Sequence, residues 1–354
     1  MKRSFIPLIA VLLLFCPQAP LKAQDIKEKE KKEKQEAKEK EREEQREAKE
    51  KEREEQREAK EKQLDEKNEV RSREREVRNR ERYNERYPEQ FKEHISKQYT
   101  IQKAAGSVLA IYNLDGFIKV EGYAGDKVVI EIDKTISAKD KETLEEGKKE
   151  VKLGFEQIGD SVVAYLLYPW DTRPHDWRDD SDNWNERRRI EYNCALQYTV
   201  KVPFNMNLRV GTVNNGDVTV KNVTGTLRVT NVNGAIDIAN AKGTTSAHTI
   251  NGDLTVSYAS NPPEASSFNT LNGKLTVMFQ PNLSADLQFK SMNGGFYTDF
   301  DSQVLAPTLV KNEEKRSGGT MYRLKKDTQI RIGSGGKQLK FETLNGNIYI
   351  KKQS

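Results

Sequence analysis

The stretch VGTVNNGDVTVKNVTGTLRVTNVNGAIDIANAKGTTSAHTINGDLTV, residues 210–256, carries a turn signal every nine residues, at Gly216, Gly225, Gly234, Gly243 and Gly252. Aligned on those glycines, apolar residues recur two places before (Val223, Val232, Ile250), two after (Val218, Leu227, Ile236, Leu254) and four after (Val220, Val229, Ile238, Val256). Alternation at period two, rich in β-branched residues and bounded by glycine, reads as short half-buried strands rather than helix. Each unit is one strand and one corner. The corners alternate in kind, with Asn-Gly at 215–216, 233–234 and 251–252, and Thr224-Gly225 and Lys242-Gly243 between them. The full period is therefore 18 residues, as expected of a two-sided coil in which residues 18 apart stack and each side keeps its own corner chemistry. The predicted fold class is all-β: a β-solenoid with two strands per rung, preceded by a long charged α-helix. An antiparallel β-meander is the alternative, because Asn-Gly is also a strong hairpin signal.

Later units extend the pattern. Asn272-Gly273 and Asn293-Gly294 follow at 21-residue steps, with the extra residues at the opposite corner around Pro262-Pro263 and Pro281, and a last copy, ETLNGNIYI at 342–350, closes the chain. Asparagine tolerates the left-handed backbone that corners demand, and stacked asparagines bond from rung to rung. The pairs Asn215 and Gly216, Asn233 and Gly234, Asn251 and Gly252, Asn272 and Gly273, Asn293 and Gly294, and Asn345 and Gly346 are accordingly read as structural turns. The recurring T-x-N-G-x-(I/L)-x-(V/I) units resemble a bacterial β-strand-repeat family of unknown function whose members are described as adhesin-like, and the resemblance covers about residues 95–354. It implies an exported envelope protein without established activity. It brings no catalytic motif.

Residues 1–23 read as a cleaved export signal: Lys2 and Arg3, an apolar run from Phe5 to Cys16, and Ala23 before Gln24. That run is shorter than the roughly 20 residues needed to cross a bilayer, so no transmembrane span is expected after cleavage. Cys194 is then the one remaining cysteine, expected to be a buried, inert thiol. Residues 24–88 are almost wholly Glu, Lys, Arg and Gln, and an 11-residue block at 37–47 repeats at 48–58. Only Ala37, Ala48 and Ala59 supply an apolar register, too little to hold a coiled coil. Pairs such as Glu39 with Arg42 and Glu54 with Arg57 each stabilise a lone helix by roughly 0.2–0.5 kcal/mol. The segment reads as a solvated single helix, or else a charge-rich disordered tether, and in both forms as a spacer.

The β-strand-repeat domain is expected over 89–354. Leu114, Ile118 and Val120 take the repeat offsets around Gly116, and a helical pattern between Ser137 and Val151 is placed to cover an open end of the stack. An insertion at 168–189 holds every tryptophan of the chain, Trp170, Trp177 and Trp184, with Arg187 and Arg188 beside the last. Tryptophan and arginine are types in which binding energy concentrates, so these five residues are the candidate partner-binding surface. Lys311 to Thr320 reads as a loop.

The chain has 60 Lys and Arg against 55 Asp and Glu, with no one-sided basic run, and nucleic acid is not an expected partner. His94, His175 and His248 fall on unrelated elements, and no His or Cys pair has metal-ligand spacing. Asp176, Asp179, Asp180 and Asp182 lack the glycine of an EF-hand loop. Asp217 and Asp253 each follow Asn-Gly, a distant echo of paired carboxylates in sugar-cleaving enzymes, but two rungs at about 4.8 Å leave them too far apart. The expectation is an enzymatically inactive protein of the periplasm or cell surface, without cofactor or metal. It would bind an envelope protein or glycan, the other reading being a carbohydrate-active enzyme on a β-helix.

Overall fold

The computed structural model describes residues 82–167, 190–305, 309–312, 321–324 and 328–353, together with Gln45 and Lys49. The expected signal segment and the tryptophan insertion lie outside the described residues. The charged segment does too up to residue 81, save that Gln45 and Lys49 are helical, so the expected long helix finds no support there. The chain divides into Met1–Arg82 and Tyr83–Ser354, and the second unit carries the strands.

Its elements in order are β1 (Glu89–Thr100), β2 (Val108–Tyr112), β3 (Ile118–Tyr123), β4 (Lys127–Ala138), α1 (Lys141–Glu150), β5 (Lys152–Ile158), β6 (Ser161–Leu167), β7 (Tyr192–Pro203), β8 (Asn207–Thr212), β9 (Val218–Lys221), β10 (Leu227–Asn231), β11 (Ile236–Ala241) and β12 (Thr245–Asn251). They continue as β13 (Leu254–Tyr258), β14 (Ser266–Asn272), β15 (Leu275–Phe279), β16 (Ala285–Asn293), β17 (Phe296–Thr298), β18 (Ser302–Val304), β19 (Leu309–Asn312), β20 (Met321–Leu324), β21 (Thr328–Ile332), β22 (Gln338–Asn345) and β23 (Ile348–Lys352). Among the described residues they form a ten-stranded first sheet, β1-β4-β7-β3-β9-β11-β13-β15-β23-β17, and an eleven-stranded second sheet, β18-β21-β16-β22-β14-β12-β10-β8-β2-β6-β5. The remaining pair, β19 and β20, is antiparallel and takes Lys311 and Asn312 into a strand, correcting the loop expected from Lys311 onward.

From β8 to β17 consecutive strands fall in alternate sheets, and β8, β10, β12 and β14, like β9, β11, β13 and β15, pair parallel with one another. Val218 lies opposite Ile236 and Ile236 opposite Leu254, a register of 18 residues; Leu254 lies opposite Leu275, a register of 21. The antiparallel meander is thereby corrected for the repeat. Asn-Gly here carries the chain from one sheet into the other instead of folding it back along its own sheet. We call a second-sheet strand and the first-sheet strand that follows it a rung.

Antiparallel pairing occurs at the ends of the stack. At one end the first sheet runs through β7, β4 and β1, and the second through β6 and β5. Helix α1 links β4 to β5 and packs on β4, β1 and β7. Asp140 caps it by accepting from the Thr143 amide at 2.9 Å. Gly147 lies on its inner face, where a Cβ would press on Ile136 and the Tyr192 ring. At the other end β21 adds antiparallel to β16, and β18 to β21.

Rung order departs from chain order twice. The rung β6/β7 stacks beyond β2/β3, so the unit at Gly116 is not terminal. The last copy of the repeat, β22/β23, does not close the stack but sits between β14/β15 and β16/β17, parallel to both. Repeat periodicity cannot foresee this, since every rung offers its neighbours the same offsets and the excursion over 299–337 leaves the chain free to return.

Inward side chains stack in columns. On the second sheet Ile111, Val210, Val229, Ala247, Phe268, Phe341 and Phe289 succeed one another. Phe341 stacks at 5.2 Å on both Phe268 and Phe289, while on the first sheet Tyr258 stacks at 5.2 Å on Phe279 of the neighbouring strand. Each such ring pair adds about 0.5–1.5 kcal/mol beyond the area it buries. The apolar residue two places before each glycine behaves differently at the two corners: Val223 is buried at Thr-Gly, whereas Leu114 and Leu271 before Asp-Gly and Asn-Gly are 43% and 41% exposed.

Candidate functional site

The Asn-Gly corners lie one above another and form a continuous edge. Along it Asn233 Nδ2 donates to Asn214 Oδ1 at 2.8 Å, Asn251 to Asn233 at 2.9 Å, Asn272 to Asn251 at 2.8 Å, Asn345 to Asn272 at 2.7 Å and Asn293 to Asn345 at 2.8 Å. The ladder begins at Asn214, not Asn215. Asn215 takes a left-handed φ of 53° and donates instead to Asp115 Oδ2 at 2.9 Å. It is the one ladder-corner asparagine with positive φ; the other non-glycine residues of this kind among the described residues are Asn222 and Asn240, at the opposite corner, where Asn240 donates to Asn222 at 2.9 Å. Sequence reasoning missed both because neither precedes a glycine.

The glycines hold the corners together by having no side chain. A Cβ on Gly216 would strike the backbone at Gly116, one on Gly234 the Gly216 carbonyl, and so on through Gly252, Gly273, Gly346 and Gly294, each against the glycine one rung before. The threonine of the repeat, whose role the spacing left unread, bonds the same carbonyls at three corners, whereas Thr343 Oγ1 in the last copy is buried without a hydrogen bond. Thr212 Oγ1 donates to Gly116 O at 2.8 Å, Thr249 to Gly234 O at 2.9 Å and Thr270 to Gly252 O at 2.9 Å. Asn231 fills that place one rung earlier, donating to Gly216 O at 3.0 Å.

Asp217 and Asp253 have structural partners. Asp217 Oδ1 accepts from the Ala235 amide at 2.7 Å, Asp253 Oδ1 from the Lys274 amide at 2.7 Å, and Asn347 does likewise for Gly295 at 2.9 Å. Each bridges to the next rung.

Outward from the ladder the x residues of T-x-N-G form a parallel apolar ridge. Leu114, Leu271 and Met292 stand 43%, 41% and 76% exposed on it, and Val213, Val232, Ile250 and Leu344 are half-buried between them. One end of the polar column reaches Asn193, which donates to the Tyr83 hydroxyl at 2.8 Å and approaches Asp115 at 3.4 Å. Burial pushes the Asp115 carboxyl above its ordinary range, against the opposing pull of Asn215 and Asn193. Near the other end, on the outer face of the first sheet, Tyr297 and Tyr349 stack at 5.0 Å and 13°.

Trp170, Trp177, Trp184, Arg187 and Arg188 lie outside the described residues, as do His175 and the aspartates from Asp176 to Asp182. Their insertion joins β6 in the second sheet to β7 in the first, the connection that an Asn-Gly corner makes in other rungs. His94 faces outward on β1, its Nδ1 2.8 Å from Asp133 and its Nε2 2.9 Å from Glu131. His248 is exposed on β12 between Thr230 and Asn269, in the second sheet, whereas His94 lies in the first. No cluster of three potential metal ligands occurs among the described residues, nor any helix long and apolar enough to cross a membrane. Cys194 is buried, and desolvation pushes its thiol up to about 12.

No family model matches the chain, and no curated protein matches it. Solved structures align over 74% of it: a candidate cell adhesion protein from Clostridium sporogenes at 8% identity and TM-score 0.36, with 100% of that chain covered, and a candidate adhesin from Bacteroides fragilis at 9% and 0.30, with 97% covered. A candidate lipid binding protein from Parabacteroides distasonis aligns at 9% identity and TM-score 0.21, again with 97% of that chain covered.

Proposed function

We propose that this is a non-catalytic, exported envelope protein: a two-sided β-solenoid, carried on a charged spacer, whose Asn-Gly edge binds an extended partner, an envelope protein or glycan. The asparagine ladder carries this reading. Within it each inner asparagine spends one amide hydrogen and one acceptor site on its neighbours, so a second hydrogen and a second lone pair remain for a ligand. They recur at the strand spacing of about 4.8 Å beside an exposed apolar ridge, which suits a polymer lying along the edge better than a small molecule in a pocket. The tryptophan insertion joins the two strands of its own rung, the connection that an Asn-Gly corner makes in others. Both carboxylates that pointed toward sugar cleavage are tied to backbone amides one rung away, which favours binding over turnover.

The test is retention of purified protein on envelope fractions and on defined glycans. Changing Leu271 and Met292 together to Ser should weaken retention while leaving the unfolding midpoint near that of the parent, since both side chains stand in solvent. Replacing Trp170, Trp177 and Trp184 by Ala should weaken it further. Unchanged retention in both variants would sink the binding edge, and release of sugar fragments by purified protein would replace it with an enzyme.

A further inference from the structure

The C-terminal rung, Gln338–Lys352, occupies a slot whose two walls precede it in the chain. On one side Phe341 lies opposite Phe268, Asn345 opposite Asn272 and Ile348 opposite Leu275; on the other the same residues lie opposite Phe289, Asn293 and Phe296. Both walls are made by residues before 300, so they precede in the chain the rung that lies between them. Nothing in the walls distinguishes the chain's own rung from an identical rung of another copy. The contacts are repeat contacts, ladder asparagine on ladder asparagine and ring on ring.

The rung enters through Gly333-Ser334-Gly335-Gly336, which passes round the start of β16 from its outer neighbour β21 to its inner neighbour β22. Gly333, Gly335 and Gly336 have φ of 59°, 77° and 129°, a backbone that only glycine adopts readily. Ser284 fixes this crossing, its hydroxyl 2.9 Å from Ser334 Oγ and donating to Gly335 O at 2.8 Å. A glycine hinge beside a self-complementary slot is the setting in which an element passes between copies.

We propose that the slot between β14/β15 and β16/β17 accepts the C-terminal rung of a second copy of this chain, so that copies folding side by side exchange rungs and become linked. The exchanged rung makes the same hydrogen bonds and buries the same side chains as the chain's own, and only the hinge changes course. Own-rung closure dominates when chains fold far apart, and exchange grows as they fold closer together.

Asn272 and Asn345 face each other across a parallel pair, at a strand spacing of about 4.8 Å that a disulfide spans. With Cys16 changed to Ser, one full-length chain carries Asn272→Cys, a second Asn345→Cys, and a third both. Buried Cys194 stays in place. The doubly substituted chain should close within itself under oxidation. The two single variants, folded together, should give a covalent heterodimer whose yield rises with chain concentration, whereas variants folded separately and then mixed should give little. Closure of the double variant without any heterodimer would overturn the proposal. So would equal dimer yield from chains folded separately, which marks random collision, and so would failure of the double variant to close, which removes the adjacency on which exchange rests.

Discussion

Asn345 donates its side-chain amide to Asn272 across 2.7 Å although 73 residues separate them, and it simultaneously accepts from Asn293 at 2.8 Å. Three corners from distant parts of the chain therefore share one hydrogen-bonded column, and each inner member both gives and receives.

Asn272→Ala removes the bond Asn272 donates to Asn251 and the one it accepts from Asn345. These are exposed, neutral bonds worth about 1 kcal/mol each, so the substitution should destabilise by about 1–2 kcal/mol in urea unfolding. A change within error would mean that the ladder decorates the edge without holding it.

Gly252→Ala places a Cβ against the backbone of Gly234 one rung away, where no side chain can move aside. Overpacking of this kind costs about 1–3 kcal/mol where neighbours can yield, and a peptide carbonyl yields less than a side chain. Thermal unfolding should show a loss at or above the top of that range. Tolerance of alanine would show that the rungs do not approach as closely as their carbonyls indicate.

His94 is held by its hydrogen bonds to Asp133 and then Glu131, which raise its pKa above the ordinary 6.5. A group whose folded pKa is raised contributes its full stabilisation below the unfolded value and loses it as pH climbs through the folded one. His94→Gln should therefore lower the unfolding midpoint at pH below 6.5 and leave it unchanged at alkaline pH. Glu131 also accepts from Ser96 at 2.8 Å, so that carboxylate keeps a partner in the variant. Equal effects at both pH values would assign His94 a packing role only.

Cys194, its thiol raised to about 12 by burial, should resist alkylation in the native protein near neutral pH and react on unfolding, with mass mapping of the modified peptide as the readout. Native labelling would place the thiol at a surface and remove the closed interior around β7.

Much of the repeat is legible in the residues because strand chemistry leaves a period. Val218, Ile236, Leu254 and Leu275 recur at one offset, and each pairs with the next. The order of rungs is not legible: Phe341 matches Phe268 and Phe289 equally, so nothing local says that Asn345 stands between Asn272 and Asn293. The left-handed corners at Asn222 and Asn240 were hidden for a related reason, lying where Val223 and Ala241 mark a strand end without a following glycine. Strand β1 escaped because its eight exposed residues, among them the run Lys92, Glu93 and His94 and the run Ser96, Lys97 and Gln98, outnumber the half-buried Glu89, Phe91, Ile95 and Tyr99 and blur the alternation. At the edge itself, the threonine and glycine roles needed coordinates, since they depend on which carbonyl lies beneath.

The intercalated C-terminal rung also sets how the molecule answers tension. A chain end usually peels from a border, breaking one backbone ladder at a time. Here β22 is clamped by β14 and β16, and β23 by β15 and β17, so a pull on the chain beyond Lys352 meets ladders on both flanks of these strands. The rung that comes last in the repeat is thereby anchored inside the stack.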